Sequence, residues 1–359
     1  VNVLKIGILN GGGDCAGLNS VTRAVLKIAS THGIQVIGVK NGWAGLLEPD
    51  MQPLDCEDFD EAISAGGTLL GTSRTNPMKR ERGLETIIET MKAWGIDTLI
   101  AVGGDDTLGV ARELCRKGAK VIGVPKTIDN DLAGTDFSFG FFSAVDEAMH
   151  LIESLKTTGA SHNRVMVVEV MGRDAGWISL YAGLAAGAHA IIIPEFPLVV
   201  DDVVEMVRKR KAEKKRGTVI VIAEGVALRQ REVEKDEFGH ELIAREAGDS
   251  NASYLARIIE GRTGAETRAT VLGHTIRGTQ PNAYDRVMTS RLGVHAAYAA
   301  IQGKSGIMVS IRGNEIVEVS LDEGTRKKYV DEKIWKDALE LTVKGPGKKP
   351  GKGDIQLSD

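Results

Sequence analysis

The sequence predicts an α/β protein, and three observations carry that prediction. Short apolar runs rich in β-branched residues alternate with longer amphipathic segments along most of the 359 residues. Runs such as Leu99-Ile100-Ala101-Val102 are apolar throughout, as strands covered on both faces are. Glycine supplies 43 of the 359 residues without collagen periodicity, against roughly 7% in an average chain. Strand–helix alternation at this spacing implies parallel sheet with helices on both faces. At roughly 150 residues per domain, the length suggests two domains.

Strand Leu4–Leu9 runs into three consecutive glycines and then the helix pattern Asn19–Ser30. Gln35–Val39 is the next β-branched run. Thr98–Val102 and Lys120–Gly123 follow, with the helix Leu108–Arg116 between them. Near Phe141 a second strand–helix set begins: helix Ser143–Thr158, strand Arg164–Val170, strand Ala190–Ile193, helix Val200–Lys215 and strand Thr218–Ala223. Thr267–Leu272 and Gly306–Ile311 complete the strands. The Gly/Pro/Lys-rich tail from Lys344 has no apolar face to bury and is expected to be flexible.

Composition narrows the function classes. The 45 basic and 49 acidic side chains give a net charge of −4, unsuited to a nucleic-acid binder relying on bulk positive charge. Hydrophobic residues at 42% and charged residues at 26% exclude disorder for most of the chain. No run approaches the roughly 18 apolar residues of a membrane span. Three cysteines (Cys15, Cys56, Cys115) lack metal-ligand spacing, so a disulfide framework is not expected and a reducing cytoplasm is. The most basic stretch, Arg208–Arg216, suits a helix end complementing Asp201 and Asp202 at the start. An effector or polyanion site is the alternative there.

Three loops concentrate the chemistry. The first, Asn10-Gly11-Gly12-Gly13-Asp14, joins a strand to a helix, where missing Cβ atoms let backbone N–H groups approach phosphate oxygens. It also satisfies the dinucleotide pattern G-x-G-x-x-A, but Asp14 would place a carboxylate in the pyrophosphate cradle and no acid follows the second strand. The second, Gly103-Gly104-Asp105-Asp106-Thr107, sets adjacent carboxylates at a buried strand's end, a costly arrangement unless a cation compensates. Mg²⁺ suits such a site, held by one or two carboxylates plus substrate phosphates; an acidic helix cap is the alternative. The third, Pro125-Lys126-Thr127-Ile128-Asp129-Asn130-Asp131, crowds together an anion ligand, a hydroxyl, a candidate general base and a further acid.

These loops, with Glu169-Val170-Met171-Gly172-Arg173, Ile222-Ala223-Glu224-Gly225 and the stretch from Glu266 to Gly278, resemble the phosphofructokinase family. The motifs occur in family order from about Lys5 to Ser310. The resemblance implies two Rossmann-like, three-layer α/β/α domains with the active site in the cleft between them. A larger domain for the phosphoryl donor and Mg²⁺ would comprise 1–140 and about 276–326. A smaller sugar-phosphate domain would comprise 141–275 and about 327–343, leaving 344–359 as a tail.

The implied reaction is phosphoryl transfer to the 1-hydroxyl of fructose 6-phosphate. Carried over position by position, Asp129 would be the base, Thr127 would orient the sugar, and Asp105 would hold Mg²⁺. Arg74 would stabilise the moving phosphoryl group, and Arg173 would act near that group or the sugar, beside Met171. Met171, Gly172 and Glu224 would line the sugar site, while His274 and Arg277 would grip the 6-phosphate. Arg164 and Arg268 resemble arginines supplied from a neighbouring subunit, which implies a homodimer or homotetramer.

The donor is expected to bind on Gly12, Gly13, Gly104, Asp106 and Lys126. ATP-dependent members typically have glycine where this chain has Asp106, and often where it has Lys126. A carboxylate at 106 should repel a nucleotide α-phosphate: like charges about 4 Å apart cost roughly 4 kcal/mol at an effective dielectric near 20. Lys126 can reach the end of a shorter donor, although lysine also occurs there in some ATP-using relatives. The pair resembles the pyrophosphate-dependent subgroup, whose reaction is reversible because pyrophosphate and a sugar bisphosphate are close in phosphoryl potential. An ATP- or mixed-donor enzyme, a non-catalytic sugar-phosphate-binding subunit and an NAD-dependent oxidoreductase are the alternatives. Sedoheptulose 7-phosphate is a further possible acceptor. Arg23, Lys27 and Lys156 do not by themselves define an effector site, and weak or no allostery is expected.

Overall fold

The computed structural model describes residues 4–196, 199–228, 233–235, 241–243 and 250–342. The tail from Lys344 lies outside them. Strands in chain order are β1 (Lys5–Asn10), β2 (Gln35–Val39), β3 (Met51–Pro53), β4 (Thr98–Gly103), β5 (Val121–Pro125), β6 (Val165–Val170) and β7 (Ala190–Ile192). β8 (Thr218–Ala223), β9 (Val233–Lys235), β10 (Glu241–Ile243), β11 (Thr267–Val271), β12 (Ile307–Arg312) and β13 (Glu315–Ser320) follow. A seven-stranded sheet runs β13-β12-β5-β4-β1-β2-β3, a four-stranded sheet runs β11-β6-β8-β7, and β9 pairs with β10 alone.

In the larger sheet β1 pairs in parallel with both β2 and β4, and β5 in parallel with β4 and β12. Only its edges, β3 and β13, are antiparallel. The four-stranded sheet is parallel throughout. Chain order reverses at β1 in one sheet and at β6 in the other. Open parallel sheets form their ligand crevices outside strand carboxyl ends at such reversals. The loops after β1, β4, β5, β6, β8 and β11 therefore come together.

The apolar runs behave as expected of doubly covered strands. Along β4, Leu99 and Ala101 pack into one cluster while Ile100 and Val102 pack into another on the opposite face, the period-2 alternation of a strand. The helix Leu18–Thr31 adds Leu18, Val21 and Val25 to the second of these, and the helix Ala283–Ile301 adds Leu292 and Ala296. In the smaller sheet Val165, Val167, Ile220 and Ile222 meet the helices Val200–Ala212 and Asn251–Thr263.

Differences from the expected elements have local causes. The helix expected from Leu108 begins at Asp105, because carboxylates are favourable in a first turn. The helix expected to reach Lys215 ends at Ala212, where Lys214 turns left-handed at φ 53°. β3 and β13 were not expected because neither is wholly apolar: both are edges, with Gln52, Pro53, Glu315 and Glu318 exposed.

Candidate active site

The loop after β1 is shaped by what glycine lacks. Gly12 takes φ 79° and its N–H donates to the Ser73 carbonyl at 3.0 Å. A Cβ at Gly13 would lie 2.6 Å from Nη1 of Arg277, so a side chain there would displace that guanidinium. Arg277 Nη1 in turn donates to the Asp14 carbonyl at 3.3 Å. Lys126, at the end of β5, is buried and donates its ammonium to the Gly13 carbonyl. Burial depresses its proton affinity.

Asp105 and Asp106 occupy the first turn of the helix Asp105–Arg116, preceded by Gly104. The cap residue is Gly104 itself, so neither carboxylate spends itself as an N-cap. Asp105 lies 2.9 Å from the Lys327 ammonium and 4.0 Å from Arg173. Burial opposes its charge, but Lys327 and Arg173 outweigh burial and hold its pKa below the ordinary value. Asp106 is exposed at the mouth of the same pocket.

The loop after β5 is tightly held. Thr127 Oγ1 accepts from the Asp129 N–H at 3.1 Å, and Ser138 Oγ donates to the Thr127 carbonyl at 2.7 Å. Asn130 takes the left-handed conformation (φ 51°), and its Oδ1 accepts from the Ser138 N–H and the Lys328 ammonium. Asp129 is 4% exposed, and its Oδ1 has no hydrogen-bond partner among the described residues. Its Oδ2 is 4.0 Å from Nε of Arg173. Burial, and then the Asp131 carboxylate, push its pKa up to about 6 against the pull of Arg277 and Arg173. A buried, unsatisfied carboxylate oxygen facing a pocket is ready to accept a ligand's proton. Gly12, Gly13, Gly104, Asp105, Asp106, Lys126, Thr127, Asp129, Arg173 and Arg277 line this pocket together.

The second sheet faces the pocket with the loop after β6. Arg173 takes φ 50°, and both its N–H and that of Gly172 donate to Glu224 Oε1, at 2.9 and 3.1 Å. Met171, Glu224 and His274 line an adjoining cleft with Glu169 and Val271. Arg74 is exposed and lines a third recess with Ser73, Asp106 and Arg173. Arg173 thus borders both recesses.

His274 and Arg277, expected to hold one phosphate together, line different recesses here: His274 that of Glu224, Arg277 that of Gly13. Arg164 and Arg268 lie at the amino-terminal ends of β6 and β11, away from this chain's own cleft. Both bind one oxygen of Glu266, at 2.8 and 2.5 Å. Met171 follows the far end of β6, and six strand residues span about 20 Å. Arg23 and Lys27 pair with Asp60, and Lys156 donates to the Ala186 and Gly187 carbonyls.

The sequence reading missed Lys327, whose ammonium lies between Asp105 and Asp131, and Lys328, which donates to Asn130 and to the Thr135 and Asp136 carbonyls. Burial lowers the Lys328 pKa to about 8. In sequence, Arg326-Lys327-Lys328 is an ordinary surface charge run, and only the tertiary path identifies it.

Loops from the carboxyl ends of strands in both sheets bring a buried acid together with cations and glycine-rich backbone, an arrangement suited to holding phosphates. The phosphofructokinase family model matches residues 5–300, and the chain belongs to that family. A pyrophosphate–fructose 6-phosphate 1-phosphotransferase of Amycolatopsis methanolica is 51% identical over 328 residues, covering 90% of this chain and 94% of that one. An ATP-dependent 6-phosphofructokinase of Streptomyces coelicolor is 44% identical over 319 residues, covering 89% and 94%. The crystal structure of a pyrophosphate-dependent phosphofructokinase from Nitrosospira multiformis superposes with a TM-score of 0.80 at 22% identity, covering 98% and 95%, and shares the fold.

Proposed function

We propose that this enzyme transfers a phosphoryl group from pyrophosphate to the 1-hydroxyl of fructose 6-phosphate, reversibly, giving fructose 1,6-bisphosphate and phosphate. Relatives of both donor types match the chain over similar lengths, so family likeness alone does not choose the donor. The observation that carries the choice is Asp106 at the mouth of a pocket whose floor holds the buried Lys126 ammonium. A nucleotide would bring its α-phosphate against the Asp106 carboxylate. Two linked phosphates end before it and meet Lys126, Gly12 and Gly13 instead.

Phosphoryl transfer depends on positioning and charge neutralisation more than on covalent chemistry. Asp129 takes the proton of the sugar hydroxyl on Oδ1, which has no partner among the described residues, and Thr127 orients that hydroxyl. Arg173, near both Asp129 and Asp105, and Arg74 in the neighbouring recess balance charge on the moving group. Met171, Gly172, Glu224, His274 and Arg277 bind the sugar phosphate, and Arg164 and Arg268 extend towards a neighbouring subunit of a homodimer or homotetramer. The described residues hold no cluster of three or more His, Cys, Asp or Glu side chains fit for a metal. Asp105, partly exposed in the recess with Gly104, Asp106 and Lys126, suits Mg²⁺, which keeps several waters and joins one or two carboxylates to substrate phosphates. Asp105 would hold it, and when bound the ion neutralises phosphate charge. The larger sheet's loops then form the donor domain and the smaller sheet's loops the sugar domain of a cytoplasmic enzyme.

The test is a donor-swap assay with fructose 6-phosphate and Mg²⁺. Turnover with pyrophosphate and little with ATP is expected; appreciable turnover with ATP and none with pyrophosphate overturns the donor assignment. Sedoheptulose 7-phosphate assayed alongside defines the acceptor range.

A further inference from the structure

The segment 325–330 lies across the loop that carries the proposed base. Leu132 and Lys327 form an antiparallel bridge, Ala133 N–H donates to the Arg326 carbonyl at 2.8 Å, and Lys328 N–H donates to the Asp131 carbonyl at 2.9 Å. The same segment is fastened to the smaller sheet's side: Trp177 Nε1 donates to the Lys328 carbonyl, and Val330 N–H donates to Glu195. With its backbone fixed at both ends, Lys327 projects its ammonium between two carboxylates, 2.9 Å from Asp105 Oδ2 and 2.7 Å from Asp131 Oδ2. Asp131 is nearly buried, whereas Lys327 is 37% exposed, so its head can leave the acids for a phosphate.

We propose that Lys327 is the resident counter-cation of the donor pocket, a positioning residue that holds Asp105 and Asp131 together and withholds Asp105 from a divalent ion until donor phosphates arrive. This rests on the reading of Asp105 as the Mg²⁺-holding carboxylate. An ammonium within 3 Å satisfies one carboxylate oxygen and repels an incoming dication, so the free protein should bind that ion weakly. Phosphate oxygens offer the three ammonium hydrogens alternative acceptors and supply the ligands that a single carboxylate lacks. Lysine suits this role as a flexible point charge.

The experiment measures Mn²⁺ binding to the full chain by electron paramagnetic resonance, without donor or acceptor. In Lys327→Met, the Mn²⁺ dissociation constant is expected to fall at least tenfold relative to the native protein. Lys327→Arg should retain the native value, and Lys327→Met combined with Asp105→Asn should lose the gain. A purely structural lysine would leave binding unchanged or weaken it when removed, so an unchanged or larger dissociation constant in Lys327→Met overturns the proposal. Should that variant fail to fold, Lys327→Gln removes the charge, keeps a donor, and is judged by the same criterion. Because no phosphoryl donor is present, the result is independent of which donor the enzyme uses. A tighter site that persists in the double variant instead refutes Asp105 as the holder of the ion.

Discussion

The guanidinium of Arg173 stands 4.0 Å from the carboxylate of Asp129, yet one Asp129 oxygen has no hydrogen-bond partner among the described residues. The arginine is near enough to bias the acid and does not saturate it. Replacing Asp129 by Asn removes the proton acceptor and keeps the shape. Turnover is expected to fall a hundred- to ten-thousandfold, on the order of 3–5 kcal/mol in barrier. Stability should move the other way. Raising the acid's pKa from 3.8 to about 6 corresponds to a folding penalty on the order of 3 kcal/mol, which the amide avoids. Steady-state kinetics and a thermal melt of one preparation check both signs; a lower melting temperature together with full activity would refute the assignment.

The same carboxyl sets a pH limb. Its folded pKa lies above its unfolded value, so the folded state binds the extra proton between the two. The energetic cost of ionisation is present in full above about pH 6 and is relieved as pH falls towards 3.8. A base must be ionised to act. The forward rate constant is therefore expected to fall close to tenfold per unit below about pH 6, while this group's drag on stability decreases. Rates from pH 5 to 8 test the limb, and a flat profile across that window refutes Asp129 as the rate-determining base.

Much of this site was legible because its chemistry sits at strand ends. Gly12, Gly13, Asp105, Lys126, Thr127 and Asp129 come from three loops that a parallel sheet must bring together, and the apolar runs before them identified the strands. Contacts that depend on the return path of the chain were not legible. Lys327 meets Asp131 across 196 positions, and no periodicity encodes that. The placing of His274 and Arg277 was hidden similarly: three residues apart in and beside one short turn, they line two different recesses.

Asp106→Gly tests the donor account. If the carboxylate excludes a nucleotide, the glycine variant should use pyrophosphate less efficiently and gain ATP turnover. Removing a like charge worth roughly 4 kcal/mol allows up to about a thousandfold change in relative donor preference. Parallel kcat/KM measurements with both donors decide. Full retention of pyrophosphate efficiency with no gain for ATP would show that the discrimination lies elsewhere, even with the donor correctly named.

Glu224 separates binding from scaffolding. Its Oε1 accepts from the backbone N–H groups of Gly172 and Arg173, holding Arg173 in its left-handed turn. Glu224→Gln retains a carbonyl oxygen for those amides, so the fold should remain within about 1 kcal/mol while KM for fructose 6-phosphate rises through loss of the charged acceptor. Glu224→Ala leaves both N–H groups without this partner and should in addition lower turnover, because Arg173 is released. A Gln variant as impaired in turnover as the Ala variant would mean that the charge, rather than the held loop, sustains the reaction.

Asp285 is the control outside the cleft. Fully buried on the helix Ala283–Ile301, it accepts from Gly140 N–H through Oδ1 and from Ser143 N–H and Oγ–H through Oδ2, at 3.1, 2.9 and 2.5 Å. These bonds fasten the start of the helix Phe141–His162, which carries the chain from the larger sheet to the smaller. Burial raises its pKa despite them. Asp285→Ala leaves three donors unmet in the interior, at about 1–3 kcal/mol each where no water replaces the acid, so a total loss of at least about 3 kcal/mol is expected from denaturant unfolding. Kinetic constants of the protein that remains folded should change less than threefold, since no atom of Asp285 borders the lined recesses. A large fall in turnover with unchanged stability would instead mean that the junction between the two sheets governs the chemistry directly.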